Sequence, residues 1–360
     1  MKIIHTADIH IGSALKNLPT DKSSLRKNEI LDGFRRLCLH AKETGVFAVL
    51  IAGDLFDENQ VSRQVKREVF SIIENSKPVC FFYASGNHDD EFDSADLLPE
   101  NLYVFGKSHG FYGYDLPENI TITGIDTKNL SAQAISALRL PQERFNILLM
   151  HGEVQGDSAS REYIPLASLQ NKGVDYLALG HIHKPTAEAL RLDARGKYRY
   201  CGCLESRGFD EVGPRGFFLL TIENNRLVEE RFFTIATRET VELRVDISAC
   251  NSYYDIENLA VSALAKTVEK NLVKLVLCGR HKTGLKKDIS LLSARLGARC
   301  FAIKIDDQSK LCINASDYAT DLTERGEFVR EVSRYEMNED LRAEILQIGL
   351  QALNGEDIDL

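Results

Sequence analysis

In Ala48-Val49-Leu50-Ile51-Ala52-Gly53-Asp54-Leu55-Phe56-Asp57, five apolar residues run into a glycine and then a carboxylate. Five residues are too few for a helix and are cut off by Gly53, which is the pattern of a strand buried on both faces. Asp54 then falls where that strand leaves its sheet. A carboxylate is costly to hold there unless a cation or hydrogen-bond donors neutralise it, and Gly53 lets the backbone come close to whatever does so. Asp54 is therefore expected to be the hub of a two-metal site.

The same grammar recurs through the first half of the chain. Lys2-Ile3-Ile4-His5-Thr6-Ala7 stops in Asp8-Ile9-His10, and Val79-Cys80-Phe81-Phe82-Tyr83 stops in Gly86-Asn87-His88-Asp89. Asn146-Ile147-Leu148-Leu149-Met150 stops in His151-Gly152, and Tyr176-Leu177-Ala178-Leu179 stops in Gly180-His181-Ile182-His183. Five strands would thus deliver polar residues to one rim, the carboxyl edge where open α/β sheets gather their ligands.

A chain of 360 residues accommodates a catalytic domain and a smaller unit. No apolar run approaches the roughly 20 residues that span a bilayer, and the N-terminus enters a strand without a signal-peptide pattern, so no membrane and a cytoplasmic location are expected. The eight cysteines are scattered, with no CxxC pair, which argues against a disulfide framework or a zinc knuckle. Cys201-x-Cys203, the one close pair, reads as two small strand residues on one face rather than as metal ligands. A formal charge of -9 argues against a protein that binds nucleic acid by bulk electrostatics, but does not exclude a nucleic-acid enzyme whose attraction is local or metal-borne.

Strand and helix alternate at the outset. A helix with apolar face Ile30, Phe34, Leu37, Cys38 and Ala41, capped at Ser23 or Ser24 and stopped at Gly45, precedes the Asp54 strand. A second, carrying Val65, Val69, Ile72 and Ile73, is closed by Pro78. Parallel pairing follows. Leu102–Phe105 and Ile120–Thr123 read as alternating strands, a short helix spans Ser131 to Leu138, and a helix leads to Gly173. Gln155 to Tyr163 is a polar loop placed to be a lid. Tyr198 to Tyr200, with Phe217 to Ile222 and Leu227 to Phe233 joined at Asn224-Asn225, is expected to close a second sheet with antiparallel strands. The pattern restarts near Thr237: strand over Val241–Ile247, helix over Asp255–Lys270, strand over Leu272–Cys278, helix over Leu285–Leu296, strand over Cys300–Ile305. The expected domains are 1–237, carrying the site; 238–330, a small α/β unit capping its cleft; and 331–360, a helical segment with Leu341, Ile345, Ile348 and Leu353 near one face.

Asp8 and His10 are two apart, so in an extended segment they point the same way, as do His181 and His183. With Asp54, Asn87 and His151 they make seven candidate ligands, enough for two metals bridged by Asp54. Imidazole and oxygen donors without thiolate favour manganese, iron or zinc at a catalytic centre. Two cations about 3.5 to 4 Å apart suit phosphoester hydrolysis. His88 is left over, placed to touch the phosphoryl group or to protonate the leaving alkoxide, with Asp89 available to orient it. Asp57 and Asp89 read equally as supports behind the ligands or as turn caps.

Asp8-x-His10, Gly53-Asp54, Gly86-Asn87-His88-Asp89, His151 and Gly180-His181-x-His183, in that order, resemble the calcineurin-like metallophosphoesterase superfamily. Thr6 to Gly12, and Tyr200-Cys201-Gly202-Cys203 leading through Arg207-Gly208-Phe209 to Arg215-Gly216-Phe217, are similar to its DNA-repair exonuclease branch, the SbcD and YhaO type. The resemblance covers about residues 1–237; beyond it only Arg325-Gly326-Glu327-Phe328-Val329-Arg330 is similar. The resemblance implies a two-sheet β-sandwich flanked by helices, the smaller C-terminal α/β cap domain lying beyond it. The cap domain rests on the restarted strand and helix pattern rather than on the resemblance, which further implies two divalent metal ions, manganese (Mn2+), one held by Asp8, His10, Asp54 and His183 and the other by Asp54, Asn87, His151 and His181, with His88 in the catalytic role. The resemblance also implies a homodimer, a coiled-coil ATPase partner of the SbcC or YhaN type, and 3′ to 5′ exonuclease with endonuclease activity. Cys201-Gly202-Cys203 departs from the proline and serine that relatives carry around that glycine.

Plainer readings stand beside these. His5, His40, His109 and His281 read as structural. Arg26, Lys27, Arg35 and Arg36, Arg191 to Arg199, and Arg280 to Lys287 read as solvated surface before they read as a DNA track; Lys184 is set apart by its place next to the last ligand. The expected function is manganese-dependent cleavage of the DNA backbone. Its rivals are hydrolysis of a small phosphoester and a scaffold of the same fold whose cleavage has decayed.

Overall fold

Ala48 to Ala52 is buried at every position, so its side chains need apolar partners above and below the sheet they sit in. The computed structural model describes residues 1–353 except 16, 17, 19, 58–60, 90, 91, 93–96, 107–109, 158, 283, 284, 313–317 and 319. His109 lies outside the described residues.

The chain divides into two units, Met1–Glu239 and Thr240–Leu360. The first contains strands β1 (Lys2–Thr6), β2 (Ala48–Ala52), β3 (Cys80–Ala84), β4 (Leu102–Val104), β5 (Tyr112–Leu116), β6 (Ile120–Gly124), β7 (Phe145–His151), β8 (Tyr176–Gly180), β9 (Leu190–Arg191), β10 (Lys197–Tyr200), β11 (Gly216–Glu223) and β12 (Arg226–Thr234). Its helices are α1 (Thr20–Glu43), α2 (Arg63–Asn75), α3 (Ala132–Ala137) and α4 (Leu166–Leu169). They build two six-stranded mixed sheets, ordered β12-β11-β1-β2-β3-β4 and β5-β6-β7-β8-β10-β9. β1 through β4 pair in parallel, as do β6, β7, β8 and β10.

The sheets pack face to face, β2 against β7 and β8. One core between them joins Leu50, Ile51 and Phe82 to Phe145, Ile147 and Leu149, and extends under α1 and α2. The even positions of β7, Leu148 and Met150, join a second core with Ile135 and Leu169. With the period of two along a strand, this parity places His151 at the end of the inward row. Each fully buried Leu or Ile contributes about 1.5 to 3 kcal/mol, so two-sided burial firmly fixes where these strands end.

Five expectations are corrected. The hairpin β11–β12 belongs to the first sheet, pairing antiparallel with β1 (Lys2 opposite Thr221), and only β10 joins the second, parallel to β8. α1 starts at Thr20, ahead of the expected serine caps. The helix before Gly173 is one turn, Leu166–Leu169. Ile120 to Gly124 is buried throughout rather than alternating, because a sheet lies on one face and Asp115 and Arg144 bond Thr121 on the other. Cys201 and Cys203 do not share a strand face; β10 ends at Tyr200, and Gly202 turns the chain with φ +73. The polar loop after His151 is tied at its neck, where the N–H of Glu153 donates to Glu162 O at 2.8 Å and that of Ile164 to Glu153 O at 2.8 Å.

A buried ion network braces the segment after β10. Arg26, 1% exposed, reaches Glu29 at 2.5 Å and Glu205 at 3.1 Å and donates to Ser206 O at 2.9 Å. Arg238 closes on Glu29 at 2.7 Å.

The second unit has a parallel sheet of β13 (Thr240–Asp246), β14 (Leu272–Cys278) and β16 (Ala302–Asp307), packed on α5 (Tyr253–Leu264) and α6 (Ile289–Leu296). A small second sheet pairs β15 (Arg280–Lys282) with β17 (Lys310–Cys312). α7 (Glu324–Ser333) and α8 (Glu339–Leu353) form their own core from Val329, Val332, Leu346 and Leu350. The buried face of α8 is thus Ala343, Leu346 and Leu350, while Leu341 and Leu353, expected there, are 47% and 42% exposed. Among the described residues no helix is long and apolar enough to cross a membrane.

Candidate metal centre

The carboxyl ends of β1, β2 and β3 in one sheet and of β7 and β8 in the other open on the same spot. Asp8, His10 and Asp54 are buried, His151 is 1% exposed, and Asn87, His88, His181 and His183 are half-buried. Their convergence is not the work of extended backbone. Asp8, His10, Asp54 and His181 have φ of 50°, 49°, 50° and 94°, four of the nine positive values at non-glycine positions among the described residues. That conformation costs on the order of 1 kcal/mol or more at each, and it is held by neighbouring backbone. The Asp8 N–H donates to Gly53 O at 3.1 Å, that of His10 to Asp54 O at 2.9 Å, and that of Ile11 to Leu55 O at 3.0 Å, which zips the two loops together.

The side chains meet acceptor to acceptor. His151 Nδ1 faces Ala52 O at 3.0 Å, so its proton sits there and Nε2 is a bare lone pair. That lone pair faces Asn87 Oδ1 at 2.9 Å and Asp54 Oδ2 at 3.5 Å. Opposite, His183 Nδ1 contacts Glu211 Oε1 at 2.6 Å, and His10 Nδ1, buried without a hydrogen-bond partner, lies 3.5 Å from Asp57 Oδ1; the tautomer with a proton on each Nδ1, facing those carboxylates, leaves both Nε2 atoms bare. They face each other at 3.2 Å, and His10 Nε2 is 3.4 Å from Asp54 Oδ2. Asp8 Oδ1 accepts from the His181 N–H at 2.8 Å, while Asp8 Oδ2 is buried without a hydrogen-bond partner. Lone pairs converging this closely repel unless a cation lies among them, so the donor set fits two divalent metals, one on each side of Asp54.

The electrostatics of the protein groups alone agree at His10, His151 and Asp54, whereas at His183 the Glu211 contact and the Asp8 charge outweigh burial and raise the imidazole. Burial raises the Asp8 carboxyl to about 8, the proximity of Asp54 adding to it. Burial lowers His10 to about 4 and also lowers His151, keeping both neutral and able to ligate. Asp54 is held below its usual value because His151, His10 and the His88 N–H outweigh its burial.

The His88 ring stands edge-on to His10, centroids 5.2 Å apart, while the backbone N–H of His88 donates to Asp54 Oδ1 at 3.0 Å. The His181 ring stands edge-on to His151, also at 5.2 Å. Asp89 does not reach for His88: its oxygens accept from Phe56 N at 3.0 Å and Gly86 N at 2.8 Å and so tie the two loops. Asp57 lies behind His10 and takes Arg207 Nη2 at 3.2 Å. Lys184 is exposed in a groove of about 340 Å³ with His181, His183, Asp210, Glu211 and Arg215. Arg26, Arg36, Arg195 and Arg199 are engaged with Glu205, Asp175 or Glu230 rather than forming a free basic surface. His5 is bonded to Tyr176 Oη at 3.0 Å, and His40 packs on Phe217 and Phe233.

Glu211 and Ser13 carried no expectation, and Arg207 had no assigned role. Arg207 Nε donates to Ser13 Oγ at 3.0 Å, and its backbone N–H donates to Glu211 Oε2 at 2.7 Å. The one available signal was the acidic pair Asp210-Glu211 inside the Arg207 to Arg215 stretch.

The calcineurin-like phosphoesterase model matches residues 1–185. The chain is 27% identical to the uncharacterized metallophosphoesterase YhaO of Bacillus subtilis, over 64% of this chain and 59% of that protein. It is 26% identical to the DNA double-strand break repair protein Mre11 of Methanopyrus kandleri, over 65% of this chain and 57% of the relative. With a subunit of the SbcCD nuclease of Staphylococcus epidermidis the identity is 23%, over 75% of this chain and 82% of that protein. The chain therefore spans less than two thirds of the length of the first two relatives. A match over half of the chain, on residues whose lone pairs converge as this family's chemistry requires, leads to one conclusion: the protein belongs to the calcineurin-like phosphoesterase family.

Proposed function

We propose that the protein is a manganese-dependent phosphodiesterase that cuts the backbone of DNA. The observation that carries the two-metal part is Asp54 Oδ2, set 3.4 Å from His10 Nε2 and 3.5 Å from His151 Nε2, a carboxylate oxygen between two bare imidazoles. Asp8, His10, Asp54 and His183 would hold one ion, and Asp54, Asn87, His151 and His181 the other. Two divalent ions there would supply Lewis acidity toward the phosphoryl oxygens and acidify the attacking water.

His88 is the proton carrier of this reading. Its backbone is fixed by Asp54, while its half-buried ring sits at the mouth of the site, free to deliver a proton to the leaving alkoxide. The choice of DNA is supported by the relatives named as part of a nuclease and as a DNA-repair protein. That the protein works as a homodimer with a coiled-coil ATPase partner belongs to the same proposal. The formal charge of -9 favours a second reading, hydrolysis of a small phosphoester, since it supplies no broad attraction for polyphosphate.

The test is turnover with Mn2+ on end-labelled duplex and single-stranded oligonucleotides, beside a chromogenic diester. Oligonucleotide cleavage that His88→Ala lowers about 10² to 10⁴-fold while retaining two metals is the expected result. Turnover confined to the small ester would replace the DNA reading by the second, and an active, metal-replete His88→Ala variant would remove His88 from the chemistry.

A further inference from the structure

The two halves of the centre differ in what stands behind their imidazoles. On the His151 side the partner is a neutral carbonyl, Ala52 O at 3.0 Å, and the facing side chain, Asn87, is also neutral. On the other side His183 bonds the Glu211 carboxylate at 2.6 Å, and the Asp57 carboxylate stands behind His10, 3.5 Å from its Nδ1 and short of a formed hydrogen bond. Arg207 joins those carboxylates, its N–H on Glu211 Oε2 at 2.7 Å and its guanidinium 3.2 Å from Asp57 Oδ1. The Cys203 thiol, 3.4 Å from Glu211 Oε2, adds a second contact to the same oxygen. Ser13 Oγ at 3.0 Å fixes the other edge of the guanidinium.

We infer that Glu211 and Asp57, locked together by Arg207, are positioning residues that make the His10–His183 half the tighter metal site and the one filled first. The inference rests on the two-metal reading above and deepens it. A carboxylate on the far nitrogen of an imidazole holds the ring's tautomer and direction and makes the near nitrogen a better donor, an effect worth about 10 to 100-fold in affinity. A carbonyl partner fixes the tautomer but adds no charge.

The full chain, stripped with a chelator, is titrated with Mn2+ against a competing fluorescent chelator, and a sample at one equivalent is examined by electron paramagnetic resonance. Two affinity classes are expected, with a mononuclear signal at one equivalent. Glu211→Gln and Asp57→Asn should each weaken the tight class about 10 to 100-fold and leave the loose class within about twofold. Asn87→Ala should do the reverse. Asp57→Asn attacks the other end of the same shell, so the proposal remains testable if Glu211→Gln does not fold. Equal weakening of both classes, or a lowered Tm with both affinities unchanged, overturns the inference and leaves the two-metal reading standing. A wild-type chain that takes up fewer than two ions overturns both.

Discussion

Asp8→Asn should invert its effect on stability according to whether metal is present. Asp8 is completely buried, one oxygen accepts only the His181 N–H at 2.8 Å, and the other has no hydrogen-bond partner. Without a cation its carboxyl is raised by burial from 3.8 to about 8. The native state therefore binds a proton that the unfolded chain has released, throughout the window between those two values, and metal-free stability falls as the pH rises through it. At about 1.4 kcal/mol per unit, the charged carboxylate costs on the order of 5 kcal/mol at pH 8. Asparagine keeps the acceptor for His181 and carries no charge. It leaves a buried amide nitrogen unpaired, a pH-independent cost of about 1 to 3 kcal/mol. In chelator, the variant should therefore gain on wild type by about 1.4 kcal/mol for each unit from pH 5 to pH 8 and be the more stable at the top. With Mn2+ at 1,000 times its dissociation constant, wild type gains about 4.1 kcal/mol that the variant largely loses, enough to offset the variant's lead of about 2 to 4 kcal/mol and reverse the order. Guanidinium unfolding at pH 5, 6, 7 and 8, with and without metal, measures all four limbs. A difference in chelator that stays flat across those pH values would refute the assignment of the cost to the Asp8 charge.

Three further outcomes follow from the geometry. Gly53 has φ +83, and a Cβ there would fall inside the His151 ring, so Gly53→Ala should lower Tm and cost metal content together; wild-type values for both would show that the close approach is dispensable. Asp54→Asn removes the negative oxygen shared between His10 and His151 and should lose both ions, read by elemental analysis of the purified protein; retention of two would break the bridging role. Arg26→Met leaves Glu205 and Glu29 short of a buried partner and should destabilise by about 3 kcal/mol in denaturant unfolding, an effect under about 1 kcal/mol showing that Arg36 and Arg238 suffice.

Why the motif residues were legible and their supports were not follows from how each is selected. Val49 to Ala52 and Leu148 to Met150 are apolar on consecutive positions because the facing sheet presses them from one side and helices from the other, so the polar residues ending such runs stand out in one dimension. Nothing in one dimension says which sheet a strand joins: the apolar run Phe217 to Ile222 would suit a place beside β10 as well as the place beside β1 that it occupies. Spacing misleads in the same way at Asp8 and His10, whose two-residue separation matches an extended strand, although both residues are left-handed and converge through hydrogen bonds to the Asp54 loop. Glu211 is the limiting case. It lies 28 residues beyond the histidine it contacts, in an irregular segment where a solvated carboxylate is the ordinary reading, and only the braced turn after β10 carries it to 2.6 Å from His183. Ligands are chosen by chemistry and leave a trace in residue type, whereas the groups behind them are chosen by distance alone. The Arg26 network anchors Ser206, the neighbour of Arg207, so a substitution in that network, far from every ligand, should disturb the His10–His183 half before it disturbs the His151 half.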